Sequence, residues 1–215
     1  MPDFRVIAIA AMRMRGAVGS VLLSVLAVLF LLGDAAAQVK EETKTLRPTI
    51  VFFFDDPASA SIWPAVQSAF LDETAEEQVS YPLPSNLELV SATSLKPGVE
   101  FGRTIQVHLL GRCDVAEQAY RPLRPGPLGW VYNVSGEIQP FVYADCNRLA
   151  QFLNAKLLGM SDEQRNDAMA RAIARIAMHE WLHITLQDAA HTEHGIRRAE
   201  LTADDLVRPS RVAGD

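Results

Sequence analysis

His179-Glu180-Trp181-Leu182-His183 is the stretch on which the reading of this chain turns. On an α-helix, side chains four apart share a face, with Cβ atoms roughly 5–6 Å apart. Two imidazoles so placed offer a bite for one zinc ion, and the carboxylate between them reaches a water on that ion. The chemistry needs nitrogen ligands to hold the metal and a carboxylate to take a proton from water whose pKa has dropped to about 7. The reading therefore requires a helical host and a third ligand.

The host is legible upstream. Ser161-Asp-Glu-Gln164 has capping-box spacing, and the residues from there to about Gln187 include no Pro or Gly. Met169, Ile173, Ile176 and Ala177 recur at helical spacing, and His179 and His183 continue their face. Just before, Asn147 is placed to cap a helix over 147–158 that Gly159 closes.

The first half of the chain reads as mixed structure. Thr49-Ile-Val-Phe-Phe-Phe54 is an apolar, β-rich run expected to form a strand buried on both faces. Residues 59–71 read as a helix with Ile62, Val66, Ala69 and Phe70 inward, and the acidic, proline-bearing 72–84 as a loop. Residues 87–95 form a weaker strand. Residues 103–110 alternate well enough for a firm one, and His108 on it reads as structural. Residues 111–128 are irregular. Residues 129–134 and 137–143 flank Ser135-Gly136 and form a hairpin. Pro140 assigns the second run to a sheet edge, while Trp130, Tyr132 and Tyr143 either line a cleft or enter the core. The expected fold class is α+β: a small mixed sheet with an edge hairpin, packed on the long helix, as one domain over residues 49–207.

Composition narrows the function. The chain has 215 residues, 49% of them hydrophobic, and a formal net charge of −6 with 20 Lys+Arg. No basic stripe serves a nucleic acid, and no glycine-rich turn opens a helix to cradle phosphate. Arg13 and Arg15 precede an apolar run from Ala17 to Leu32, which ends near Ala35-Ala36-Ala37. That pattern fits a secretory signal peptide over residues 1–37, giving an exported (periplasmic or secreted) protein. The alternative is a retained membrane anchor, since the run approaches the ~17–25 residues of a spanning helix. Met12 or Met14 would be a more ordinary start than Met1. Residues 38–48 read as a flexible leader and 208–215 as a tail. Cys113 and Cys146 permit one disulfide in an oxidising compartment, or remain two buried thiols.

Past the helix, His191, Glu193, His194 and Glu200 are all within reach as a third ligand. The HExxH pentad resembles that of the zincin metallopeptidases. The tail is similar to that of short exported bacterial zincin-like proteins, in which a His-containing pair, a Gly-Ile-Met and a short final helix follow. The matching residues here are His191-Thr192, Gly195-Ile196-Arg197 and a helix opened by Thr202. The resemblance implies a zincin-like fold and a Zn2+ ion on His179, His183 and His191. It also implies Glu180 as general base and a peptide or protein substrate. Arg197 stands in place of the methionine, Leu182 in place of a glycine, and Leu186 and Ala189 where metzincins carry Gly and His. A gluzincin-like alternative draws the third ligand from Glu200 in Glu200-Leu-Thr-Ala-Asp204, and His194 is another candidate. A second functional reading is a non-catalytic exported zinc-binding or envelope binding protein.

Overall fold

The apolar run at Thr49–Phe54 forms the strand β1, whose first four residues are buried on both faces. The computed structural model describes residues 47–113, 115 and 125–210. The expected signal segment, most of the leader, part of the 111–128 loop and the end of the tail lie outside the described residues. After β1 come a 3-10 turn (Pro57–Ile62), helix α1 (Trp63–Glu77) and strands β2 (Glu88–Ser91) and β3 (Thr104–Leu110). The hairpin β4 (Gly129–Val134) and β5 (Glu137–Asp145) follows, and then helices α2 (Cys146–Leu157), α3 (Asp162–Leu186) and α4 (Ala203–Val207). Among the described residues, no helix is long and apolar enough to cross a membrane.

The five strands form one mixed sheet in the order β2-β1-β3-β5-β4. β1 runs parallel to β2 and β3, β3 runs parallel to β5, and β4 pairs antiparallel with β5. Alternation puts Ile105, Val107 and Leu109 of β3 and Val142 and Ala144 of β5 in the core. Phe52 joins them against Phe70 and Trp63 of α1, and Phe70 in turn meets Trp181 of α3. The opposite face carries a half-buried stack in which His108 lies between Phe53 and Tyr143. This gives His108 a structural place away from the three histidines clustered at the C-terminal end of α3. The architecture is α+β with a five-stranded mixed sheet, as the sequence pattern implied.

Four local expectations are corrected. The helix over 59–71 begins as a 3-10 turn and then runs to Glu77, through acidic residues expected to form a loop. Two of those acids, Glu73 and Glu76, meet cations from distant parts of the chain. Glu73 meets Arg175 of α3 at 2.5 Å, with both side chains almost fully buried, and Glu76 accepts from Arg208 at 3.2 Å. The strand over 87–95 stops at Ser91, where Ser91, Thr93 and Ser94 bond locally and the chain makes a 3-10 turn. α2 is capped by Asp145, which accepts from Arg148 N, while the Asn147 side chain accepts from Arg112 N instead.

The fourth correction bears on function. β5 is an interior strand, and the sheet edge belongs to β4. Pro140 is accommodated because the ladder to β3 begins only at Phe141, and on the other side β4 shifts register between Val131 and Asn133. Its missing N–H therefore costs no ladder bond. The hairpin turn is as expected: Ser135 and Gly136 both have positive φ, as a two-residue primed turn requires.

The capping box at Ser161 closes in both directions. From Ala168 to Ile184 every residue of α3 except Arg171 is buried. The Cys113–Cys146 pair is a disulfide joining the segment after β3 to the start of α2. Arg175 also donates from Nη1 to the carbonyls of Asp205, Leu206 and Arg208, at 2.8, 3.1 and 2.7 Å, so it holds α4 against α3. Removing one partner of the Arg175–Glu73 pair strands a buried charge, and such losses cost about 3–5 kcal/mol. Glu73→Ala is expected to lower unfolding stability by that order in urea titration; a loss under about 1 kcal/mol would show that the pair holds little.

Candidate metal centre

His179 and His183 lie one turn apart on the buried face of α3. His179 Nδ1 donates to the Ile196 carbonyl at 2.7 Å, and His183 Nδ1 donates to the Asp188 carbonyl at 2.6 Å. A carbonyl only accepts, so each Nδ1 carries the proton and each neutral ring keeps a bare Nε2 lone pair. The two Nε2 atoms face each other at 3.1 Å. With both Nδ1 atoms protonated and both rings neutral, neither Nε2 has a proton to share, and a cation between them would relieve the repulsion. Two nitrogens bound tetrahedrally at 2.0–2.1 Å from a zinc ion lie about 3.3 Å apart, close to this separation.

His191 completes the group. It lies in the segment that returns over the end of α3, its ring 5.3 Å from that of His179 and 4.9 Å from that of His183. Ligand atoms of the three residues all fall within 4.8 Å of one another, close enough to hold a metal ion. His191 is exposed and the other two are buried, so the cluster opens to solvent on one side. His194 and Glu200 are exposed and lie outside the cluster. The gluzincin-like spacing would also have Asp204 steady His179, but Asp204 pairs with Lys156 and the Ile196 carbonyl takes His179 Nδ1 instead.

The turn that delivers His191 is built by Gln187. This residue caps α3 in the left-handed conformation. Its side-chain amide accepts from Ile138 N at 2.9 Å and donates to Ile138 O at 3.0 Å, tying the helix end to β5.

Electrostatics favour neutral imidazoles. Burial pushes the pKa of His179 down to about 4 against the opposing effect of the Ile196 hydrogen bond, and it lowers that of His183 in the same direction. Burial also raises the Glu180 carboxyl to about 7, the range suited to a group that takes and returns a proton near neutrality.

These residues floor a cleft of about 770 Å³. One wall is β4, through Gly129, Trp130, Val131 and Asn133; the other is the segment 198–203, which includes Glu200. Of the aromatic residues expected at a cleft, Trp130 lines it. Tyr132 and Tyr143 do not.

Gly129 is a site residue that its sequence context gave little reason to single out. A Cβ there would fall 2.3 Å from Ile176 Cγ2, 3.1 Å from Tyr143 O and 3.5 Å from Glu180 Cγ. The edge strand approaches the Glu180 turn this closely only because the residue has no side chain. A glycine opening a strand is the sequence signal for such an approach. The other positioning groups, the carbonyls of Asp188 and Ile196, leave no signal because any residue provides one. No protein-family model matches the chain, and neither does any curated protein or solved structure.

Two outcomes are expected. Gly129→Ala overpacks the Ile176 contact and should cost about 1–3 kcal/mol in chemical denaturation, and an unchanged midpoint would mean that β4 has room to move. In metal-free protein, a Glu180 pKa raised from 4.5 to about 7 contributes stability that is complete below the lower value and lost as pH rises through the upper one. Glu180→Gln does not titrate, so its melting temperature should gain on the parent's between about pH 5 and pH 8 with chelator present; a constant difference would refute the raised pKa.

Proposed function

We propose that the chain is an exported zinc-dependent metallopeptidase of zincin type, with His179, His183 and His191 holding Zn2+ and Glu180 acting as general base. The observation that carries this reading is the pair of buried, unprotonated Nε2 atoms 3.1 Å apart, with a third histidine in range and a carboxyl of raised pKa beside them. Three imidazoles whose ligand atoms lie within 4.8 Å of one another suit zinc, and three protein ligands rather than four are the pattern of a catalytic site.

Zinc in such a site lowers the pKa of water to about 7 and polarises a carbonyl. The protein's own residues do the rest. The Ile196 and Asp188 carbonyls fix the imidazole tautomers so that Nε2 faces the ion. Glu180 takes the proton of the attacking water on its carboxylate and returns it to the leaving amine. The β4 edge offers unpaired backbone groups along the cleft to an extended substrate chain. A peptide fits this arrangement because its own N–H and C=O groups complete a sheet ladder. Export is supported by the signal-like residues 1–37 and by the Cys113–Cys146 disulfide, which suits an oxidising compartment.

The decisive experiment measures zinc content and cleavage of an unfolded protein substrate by parent and Glu180→Gln. The parent should bind one zinc per chain. The variant should keep the metal and lose hydrolysis by about 100-fold or more. Undiminished cleavage by Glu180→Gln would overturn the mechanism. Zinc binding without cleavage by the parent would favour the non-catalytic reading.

A further inference from the structure

Arg197 occupies a position where the sequence offers no reason for a cation. It is 6% exposed, yet it lies in the short segment that returns over α3. Its Nη2 donates to the Ala190 carbonyl at 2.6 Å and to Asp188 Oδ2 at 2.8 Å, and it lies 3.5 Å from the Asp188 carbonyl. That last carbonyl is the one that receives His183 Nδ1. The residue before Arg197 is Ile196, whose carbonyl receives His179 Nδ1. The carbonyl of Arg197 itself accepts from Thr192 N at 3.0 Å, directly after His191. One residue thus touches every segment that orients the three histidines.

We infer that Arg197 is a positioning residue for the metal centre: its guanidinium clamps residues 188–190 so that the Asp188 carbonyl, the Ile196 carbonyl and His191 stay in register with α3. Asp188 Oδ1 also accepts from Ala190 N at 2.9 Å, so the clamped turn is braced from within. The ion pair with Asp188, whose side chain is half exposed, contributes little by charge alone. The geometry matters more: the Nη2 group alone, with two N–H donors, gathers acceptors from both ends of one turn. A methionine at this position would donate nothing to these carbonyls. Outer partners that orient metal-binding histidines affect metal affinity by about 10–100-fold.

The inference rests on the three-histidine metal site of the proposed function and is independent of hydrolysis. The test is zinc affinity, measured by competition with a chromophoric chelator on protein shown to be folded, for the parent, Arg197→Met, Arg197→Lys and Asp188→Asn. Arg197→Met should weaken binding by about 10–100-fold and alter the visible spectrum of the cobalt-substituted protein, while Arg197→Lys recovers part of the loss. Asp188→Asn keeps the backbone carbonyl and should cost less than Arg197→Met. A purely structural role would lower the melting temperature of the metal-free protein and leave affinity and cobalt spectrum at parental values, which overturns the clamp. If Arg197→Met fails to fold, parental affinity in both Arg197→Lys and Asp188→Asn overturns it equally. A parent that binds no zinc overturns the site itself and the clamp with it, an outcome distinct from a zinc-binding parent whose variants bind equally well.

Discussion

A helix buried almost all round must satisfy every polar side chain it carries, and α3 carries Arg175, His179, Glu180 and His183 within its buried stretch. Its backbone bonds are internal, but the side chains need partners from elsewhere, because an unpaired buried polar group costs several kcal/mol. For Arg175, His179 and His183 those partners come from residues 188–208, with Glu73 also facing Arg175. Arg175 takes three carbonyls at the far end of that segment, His179 takes Ile196 O and His183 takes Asp188 O. The C-terminal segment folds back over the helix because that is where these donors find acceptors. The same bonds leave both Nε2 atoms bare, so satisfying the helix and preparing a metal site are one event.

The cleft follows from two further constraints on the same helix. On the sheet side, Gly129 lets β4 approach Ile176 and Glu180 within ordinary contact distance, and Gln187 fastens the helix end to β5. On the other side, Arg175 and the Thr202–Asp205 capping box hold α4 and the segment before it. Between these walls the general-base candidate is buried enough for its carboxyl to be raised, yet it still lines the opening. Leu182, inside the pentad, is packed in the interior with no exposed surface, so it adds apolar contact without entering the site.

Much of the scaffold was readable from local pattern. Helix α3, its capping box, the Ser135–Gly136 hairpin and the alternating β3 rest on interactions within a few residues, which spacing reports directly. Residues 72–77 look like a loop locally because the partners of Glu73 and Glu76, Arg175 and Arg208, lie more than a hundred residues away in sequence. The edge was misassigned for a similar reason. Pro140 excludes one ladder bond, but which strand lies outermost depends on the order in which five strands assemble.

For the candidate site, the amino-acid sequence alone determined that His179 and His183 share one face of a helix with Glu180 between them, since the 3.6-residue repeat brings positions four apart to the same side. It left the third partner open among His191, His194 and Glu200. Only the tertiary structure brings His191 into range of the other two, because that depends on how Gln187 turns the chain and how Arg197 pins the turn. It also decided the protonation of the two helical rings and the depression of their pKa values, which depend on burial and on backbone carbonyls that no side-chain pattern encodes.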